Sequence, residues 1–338
     1  MKILLTGGTG FLGPHVLDHL LASGETDVRC LVRAGSSRAR IDEVLRKRNA
    51  TVEVVAGSLA SVQAAAKLVE GVDVVYHVAA ALKGQPADMF ANTVVSSKNL
   101  LEGVVLQGRP IKIVLVSSFS VYGAGDLPRG SVVDESTPLE SRPEKRDLYA
   151  QCKLRQEQLF WEYHRQKAVP LTVLRPGVIY GPRGSALSSR IGLRMPGIFL
   201  FFGGDNLLPL SYVENCAEAI VHAGRNAPGN GEVYNVLDDE LMSCREFFRR
   251  YRREVERLRS ITLPYPLLKA ASALVERYHR YSRGQLPAVL TPYKVAAIWK
   301  GTTFNNQKLK ALGWRPTVST EEGIRRTFDD LRLRASGA

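Results

Sequence analysis

The feature that most constrains this chain is an alternation. Short apolar runs at Lys2–Thr6, Val28–Val32, Thr51–Ala56, Val72–His77, Ile111–Ser117 and Leu171–Leu174 are separated by stretches of helical period, among them Pro14–Ser23, Ser61–Val69 and Thr93–Leu106. Strands spaced by helices are joined by crossovers rather than hairpins, and crossovers make neighbouring strands parallel. The expectation over residues 1–180 is an α/β fold with a doubly wound parallel sheet. Past Gly181 the pattern loosens into glycine, proline and aromatic residues, with two long helical candidates, Cys244–Arg259 and Pro266–Tyr281. Residues 181–330 are expected to be mainly a smaller substrate lobe over the C-terminal edge of the sheet, with strand and helix segments near 205–225 returning to it.

Composition narrows the class. With 45% hydrophobic and 23% charged residues the chain can bury a sizeable core, which excludes disorder. No apolar run reaches the ~18 residues of a spanning helix, and the apolar N-terminal stretch is too short for a signal-peptide core. Cys30, Cys152, Cys216 and Cys244 lie far apart without a CxxC pair, so a reduced, cytoplasmic setting is expected. The net charge of +13 gathers in Arg-rich stretches. In one of them Phe247, Phe248, Tyr251, Val255 and Leu258 recur at helical spacing, which turns the arginines outward as a solvated face rather than a nucleic-acid surface. The Pro266–Tyr281 stretch differs. Leu267, Leu268, Ala271, Leu274, Val275 and Tyr278 form an apolar face beside Lys269, Arg277 and Arg280. Burial over a site and peripheral membrane contact both give that pattern.

The first strand runs into Thr6-Gly7-Gly8-Thr9-Gly10-Phe11-Leu12-Gly13 and then a helix. Glycines there permit a sharp turn, a close approach of backbone to a pyrophosphate, and tight packing of helix on strand; the helix N-terminus favours the phosphate charge. Gly7, Gly10, Phe11, Leu12 and Gly13 are thus candidate dinucleotide contacts. The second strand ends at Val32-Arg33, with Ser36, Ser37 and Arg38 beyond and no carboxylate. An acidic residue there would bond a ribose 2′-hydroxyl, whereas arginine accommodates a 2′-phosphate, so Arg33 and Arg38 favour NADP(H), with NAD(H) the alternative. His15 and His19 stand one helical turn apart with no third ligand at a telling spacing, so packing rather than a metal is expected.

Tyr149 and Lys153 share a helix face at i, i+4. A nearby ammonium lowers a phenol's pKa, which suits a general acid or base. Upstream, the strand ending in Ser117-Ser118-Phe119-Ser120-Val121-Tyr122-Gly123 brings hydroxyls to a strand's C-terminal end. TGGTGFLG, the Asp73–Ala80 run DVVYHVAA, SSFSVYG, YAQCK and LRPGVIYGP stand in the order and spacing of the extended short-chain dehydrogenase/reductases, and the chain resembles that family, part of the NAD-dependent epimerase/dehydratase superfamily, to about residue 225. The resemblance implies a Rossmann fold, Tyr149 as acid/base, Lys153 on the nicotinamide ribose, and Ser118, rather than Ser117, on the reacting oxygen. It also implies that Ala79 and Ala80 line the dinucleotide and that Pro176 to Val178 pass the carboxamide. The family's acidic residue after the third strand is replaced at Ser58-Leu59, and its helix asparagine falls on Thr93, with Asn92 one residue out of register. Many relatives dimerise through a four-helix contact that would include the Tyr149 helix.

Nucleotide-sugar enzymes of the family hold the diphosphate with an asparagine and an arginine. Here those places hold Val178 and Leu207-Leu208-Pro209-Leu210, and two unpaired phosphates are costly in a buried site. The chain is more similar to the 3β-hydroxysteroid dehydrogenase-like group, through LRPGVIYGP, Gly203-Gly204-Asp205-Asn206 before SYVENCAEA, and the segment from Phe304 to Pro316. The resemblance implies interconversion of a secondary alcohol and a ketone on a lipophilic small molecule, with Ile198–Phe202 and Leu267-Leu268 as candidate walls. A nucleotide-sugar epimerase or dehydratase and a non-catalytic dinucleotide sensor are the alternatives.

Overall fold

The computed structural model describes residues 1–185, 187–282 and 291–336. Seven parallel strands form the main sheet: β1 (Ile3–Thr6), β2 (Val28–Val32), β3 (Glu53–Ala56), β4 (Val74–His77), β5 (Lys112–Val116), β6 (Leu171–Pro176) and β7 (Asn230–Val236). Their spatial order is β3-β2-β1-β4-β5-β6-β7. The order reverses between β1 and β4, and at such a switch the connections leave in opposite directions and open a crevice beyond the strand ends. The glycine turn follows β1 and Ala79-Ala80 follows β4, so both sequence features fall at that crevice.

Burial explains why the inner strands read so clearly. Every residue of β1, β4 and β6 is buried, because helices cover both faces. Helices Gly13–Ala22 and Val213–Asn226 pack together on one face, and Val62–Leu68 and Ser96–Val105 on the other. The edge strand β7 has no counterpart among the apolar runs.

The lobe is built from an antiparallel pair, Gly192–Met195 with Ile198–Phe201, and Ser260–Thr262 parallel to the latter. Helices Tyr265–Tyr281 and Pro292–Ile298 cover it, and Phe202, Leu268 and Val295 form a small buried cluster. The arginine-rich helix spans Cys244–Glu254 and buries Phe247, Phe248 and Tyr251. On the Tyr265–Tyr281 helix Leu267 is 60% exposed and Leu274 69%, so the described residues leave much of its apolar face uncovered. The side chain of Arg280 lies outside the described residues. Among the described residues no helix is long and apolar enough to cross a membrane.

Candidate active site

A cavity of about 890 Å³ begins at the glycine turn, passes Ala79 and Ala80 to Ser118, Tyr149 and Lys153, and ends between Ser188–Arg190 and Lys294–Ile298. Its first part is made by backbone. Gly7 has φ +79°, and a Cβ there would meet the Ala79 nitrogen at 2.8 Å. A Cβ on Gly13 would meet the Gly7 carbonyl oxygen at 2.1 Å, so only glycine lets the helix start so close to the strand. No acidic residue occupies the first turn of that helix. The buried hydroxyl of Ser120, on the same cavity wall, has no hydrogen-bond partner among the described residues, which leaves a bond for a ligand to make. A bare glycine cradle at a helix N-terminus, opening into a cavity of this size, fits a dinucleotide pyrophosphate.

Of the expected dinucleotide contacts, Gly7, Gly10, Phe11, Leu12, Gly13, Arg33, Ser58, Leu59, Ala79, Ala80 and Val178 all face this cavity. Two do not. Arg38 pairs with Asp42 at 2.8 Å, one helical turn on, and points into solvent away from the wall. Pro176 is the buried last residue of β6, and Gly177 and Val178 take its place at the cavity.

One contributor escaped the sequence reading, and another was read as out of register. Arg40 donates to the carbonyls of Gly10 at 2.9 Å and Phe11 at 3.3 Å, with its guanidinium over the Phe11 ring, so it braces the phosphate turn from outside. Asn92 reaches the cavity because Ala91–Val95 is a π-helical turn. That wider turn absorbs one extra residue, which is the register slip noted in the sequence. Arg33 Nη1 lies 3.5 Å from Asn92 Oδ1, and Thr93 Oγ1 instead accepts from the Ala81 nitrogen at 3.0 Å.

The Tyr149 part of the cavity is set by a helix start. Asp147 caps Leu148–Lys167 by accepting from the Ala150 nitrogen at 3.0 Å, which fixes Tyr149 in the first turn. Tyr149 is half-buried on the cavity wall, with the Ser118 hydroxyl beside its phenol. Ser117, by contrast, donates to Glu157 at 2.5 Å, and Glu157 also pairs with Arg175 in the interior. The less favoured serine is therefore tied into a buried ion pair.

The expected depression of the Tyr149 pKa is not present. Burial holds the phenol above its ordinary value, Ser118 opposes that, and Asp147 adds to it. Lys153 does not contribute because its ammonium turns inward, donating to the Val116 carbonyl at 2.7 Å and to Gln156 Oε1. Burial also lowers the pKa of Lys153 itself to about 7, against the pull of Glu157. Behind it runs a hydrogen-bonded chain: Gln156 Nε2 donates to Ser97 Oγ at 2.8 Å, Ser97 stands 2.9 Å from His77 Nε2, and Thr6 stands 2.8 Å from His77 Nδ1. Burial, with Lys153 adding, lowers the His77 pKa to about 3, so the ring is neutral.

The expected walls are also corrected. Phe199, Phe201 and Phe202 are core residues and Leu267 is exposed, and none of them faces the cavity. The apolar lining comes from Leu82, Val95, Phe119, Ile179, Pro209 and Ile298 instead.

Comparison with known proteins agrees with this architecture. The model of the NAD dependent epimerase/dehydratase family matches residues 3–236. The chain is 26% identical to an Arabidopsis thaliana 3beta-hydroxysteroid-dehydrogenase/decarboxylase, isoform 1, over 97% of its length and 79% of the relative's. It is also 26% identical to a Stigmatella aurantiaca 4-hydroxy-2-methyl-3-oxo-4-farnesyl-3,4-dihydroquinoline-1-oxide ketoreductase, over 96% and 95% of the two chains. Among solved structures, the dTDP-glucose 4,6-dehydratase of Streptomyces venezuelae, with NAD and TYD bound, superposes with a TM-score of 0.74 at 21% identity, covering 100% of this chain and 98% of that one. A seven-stranded parallel sheet with a glycine cradle at its switch point and a match over most of the chain lead to one conclusion: the protein is an enzyme of the NAD dependent epimerase/dehydratase family.

Proposed function

We propose that the protein is an NADP(H)-dependent oxidoreductase that interconverts a secondary alcohol and a ketone on a lipophilic small molecule. The observation that carries this is the wall itself: Tyr149, Ser118 and Lys153 stand midway along a cavity whose lining is more apolar than polar. Arg33 at the end of β2, facing the cavity with no carboxylate at the strand end, supports the phosphorylated cofactor. The similarity to a 3beta-hydroxysteroid-dehydrogenase/decarboxylase and to a ketoreductase of a farnesylated quinoline supports the substrate class.

A bound nicotinamide dinucleotide supplies or takes up a hydride. The chain's own residues do the rest. Ser118 donates a hydrogen bond to the substrate oxygen and holds it against Tyr149. Tyr149 gives its phenolic proton to that oxygen in reduction and takes it back in oxidation. Its raised pKa favours the protonated form, which is the form reduction needs. Lys153 is positioned to hold the ribose on swinging away from Val116 and Gln156, and a charged ammonium beside the phenol would then ease loss of the proton. The apolar lining excludes water and strengthens each of these contacts.

The test is turnover of a panel of lipophilic ketones with NADPH, run beside UDP-glucose and dTDP-glucose. Oxidation of NADPH by the ketones supports the reading. Conversion of a nucleotide-sugar with no ketone turned over would replace it with an epimerase or dehydratase.

The uncovered face of the Tyr265–Tyr281 helix supports a second assignment. Leu267, Leu274 and Val275 are exposed there alongside Lys269, in a chain of charge +13, and this is the pattern of a helix lying on an anionic lipid surface. We assign this face to such contact, which suits delivery of a lipophilic substrate.

A further inference from the structure

The substrate end of the cavity contains a charge without a counter-charge. Three cations border it: Arg146, Arg190 and Lys294. Arg146 is paired with Glu140 at 3.0 Å and also donates to the Tyr122 carbonyl at 3.0 Å. Lys294 lies 3.7 Å from Asp147. For the guanidinium of Arg190 no carboxylate and no hydrogen-bond acceptor is found among the described residues; only its backbone is engaged, its nitrogen with Ser188 and its carbonyl with the Cys244 thiol. That thiol is no counter-ion, since burial pushes its pKa up to about 12. Burial and the nearby Arg146 hold the Arg190 pKa below its ordinary value, against Cys244.

Arg190 is half-buried on the cavity wall, and the hydration its guanidinium loses there is not offset by any ion pair. It is sustained most simply by an anion that arrives with a ligand. The pyrophosphate cradle is elsewhere, at the glycine turn. Arg190 instead stands within electrostatic reach of Arg146, three residues before Tyr149, and of Cys244 at the start of the lobe helix. One cation without a counter-ion matches a single negative charge, which suits one carboxylate held in two places by the planar fork of arginine.

We propose that Arg190 binds a carboxylate on the substrate, so that the molecule turned over is a lipophilic oxo or hydroxy acid rather than a neutral ketone or alcohol. This rests on the reading of the cavity as a site for lipophilic carbonyl compounds and specifies which of them it takes. Arg190 is then a specificity-determining residue, and the Tyr149 chemistry is unchanged by it.

Binding tests this without turnover, which separates its failure from failure of the proposed reaction. Decanoate and 1-decanol share a chain and differ in the head group. Calorimetric titration of the full-length protein in the presence of saturating NADP⁺ is expected to show decanoate binding about 10- to 100-fold more tightly than the alcohol, the size of a charge-assisted hydrogen-bonded pair. Arg190→Met should abolish that preference, Arg190→Lys should retain part of it, and neither should change NADP⁺ affinity. Equal binding of acid and alcohol by the wild-type protein would overturn the proposal, and that comparison needs no variant. A preference that survives in Arg190→Met, or a loss of NADP⁺ affinity in both variants, would also overturn it, the latter by moving Arg190 to the cofactor.

Discussion

The two ends of the cavity are built from different materials. The dinucleotide end is backbone: Gly7, Gly10, Gly13, Ala79 and Ala80 present almost no side chain, and a Cβ at Gly7 or Gly13 has nowhere to go. The substrate end is side chain, drawn from segments as distant as Arg146, Arg190 and Ile298. A backbone site tolerates few residue types and so fixes what binds there. A side-chain site can be rewritten without touching the fold, which is how one scaffold serves many substrates.

Substitution at the backbone end should give the largest effect. Gly13→Val forces a side chain against the Gly7 carbonyl, 2.1 Å from the Cβ position, and is expected to abolish dinucleotide binding outright. Fluorescence titration with NADPH checks this, and a variant that still bound it would show the cradle to be less strict than its geometry. Next comes the one side chain at that end with a choice to make. Arg33→Ala should weaken NADPH by about tenfold or more while leaving NADH nearly unchanged, as expected for loss of a charged phosphate contact. Equal weakening of both cofactors would instead place Arg33 on the adenosine.

A third effect appears in stability. His77 has its pKa lowered to about 3. Between its ordinary value near 6.5 and about 3, the unfolded chain takes up a proton that the folded chain refuses. Its contribution is therefore complete above about pH 6.5 and is lost as pH falls, at no more than about 1.4 kcal/mol per pH unit. Urea unfolding of His77→Asn between pH 4 and 7 should show a shallower acid limb than the wild-type protein. An identical limb would mean that His77 does not set it. The smallest effect belongs to the lobe surface: Leu274→Ser with Leu267→Ser should reduce co-sedimentation with anionic vesicles severalfold and leave cofactor affinity untouched. Unchanged sedimentation would remove the lipid assignment.

The same contrast decides what could be read from the sequence. Apolar runs between helical stretches located six of the seven main strands, because buried parallel strands leave little choice of residue. β7 carries Asn230, Gly231, Glu232 and Asn235 on a sheet edge, so it shows neither a run nor an alternation. The glycine turn and the Tyr149–Lys153 pair were legible because backbone and helix spacing are local facts. Spacing did not tell which arginine after β2 does what: Arg38 turns to Asp42, while Arg40, two residues on, reaches back to the turn. Asn92 looked out of register because a π-helical turn has no sequence signature. Arg190 drew no notice in Ser188-Ser189-Arg190, since a missing partner is a property of the folded chain alone. The pKa of Tyr149 was misjudged for the same reason: i, i+4 spacing places Lys153 on the same face but does not say where its ammonium points.

The most direct test of the account is a single-turnover measurement with a lipophilic ketone that the protein reduces, comparing wild type and Tyr149→Phe at saturating NADPH. NADPH should bind both proteins alike, and its oxidation should slow by about 10²- to 10⁴-fold in the variant, the usual range for loss of a general acid. Oxidation at an unchanged rate in Tyr149→Phe would contradict it, because the proton would then come from elsewhere and the site described here would not be where the reaction occurs.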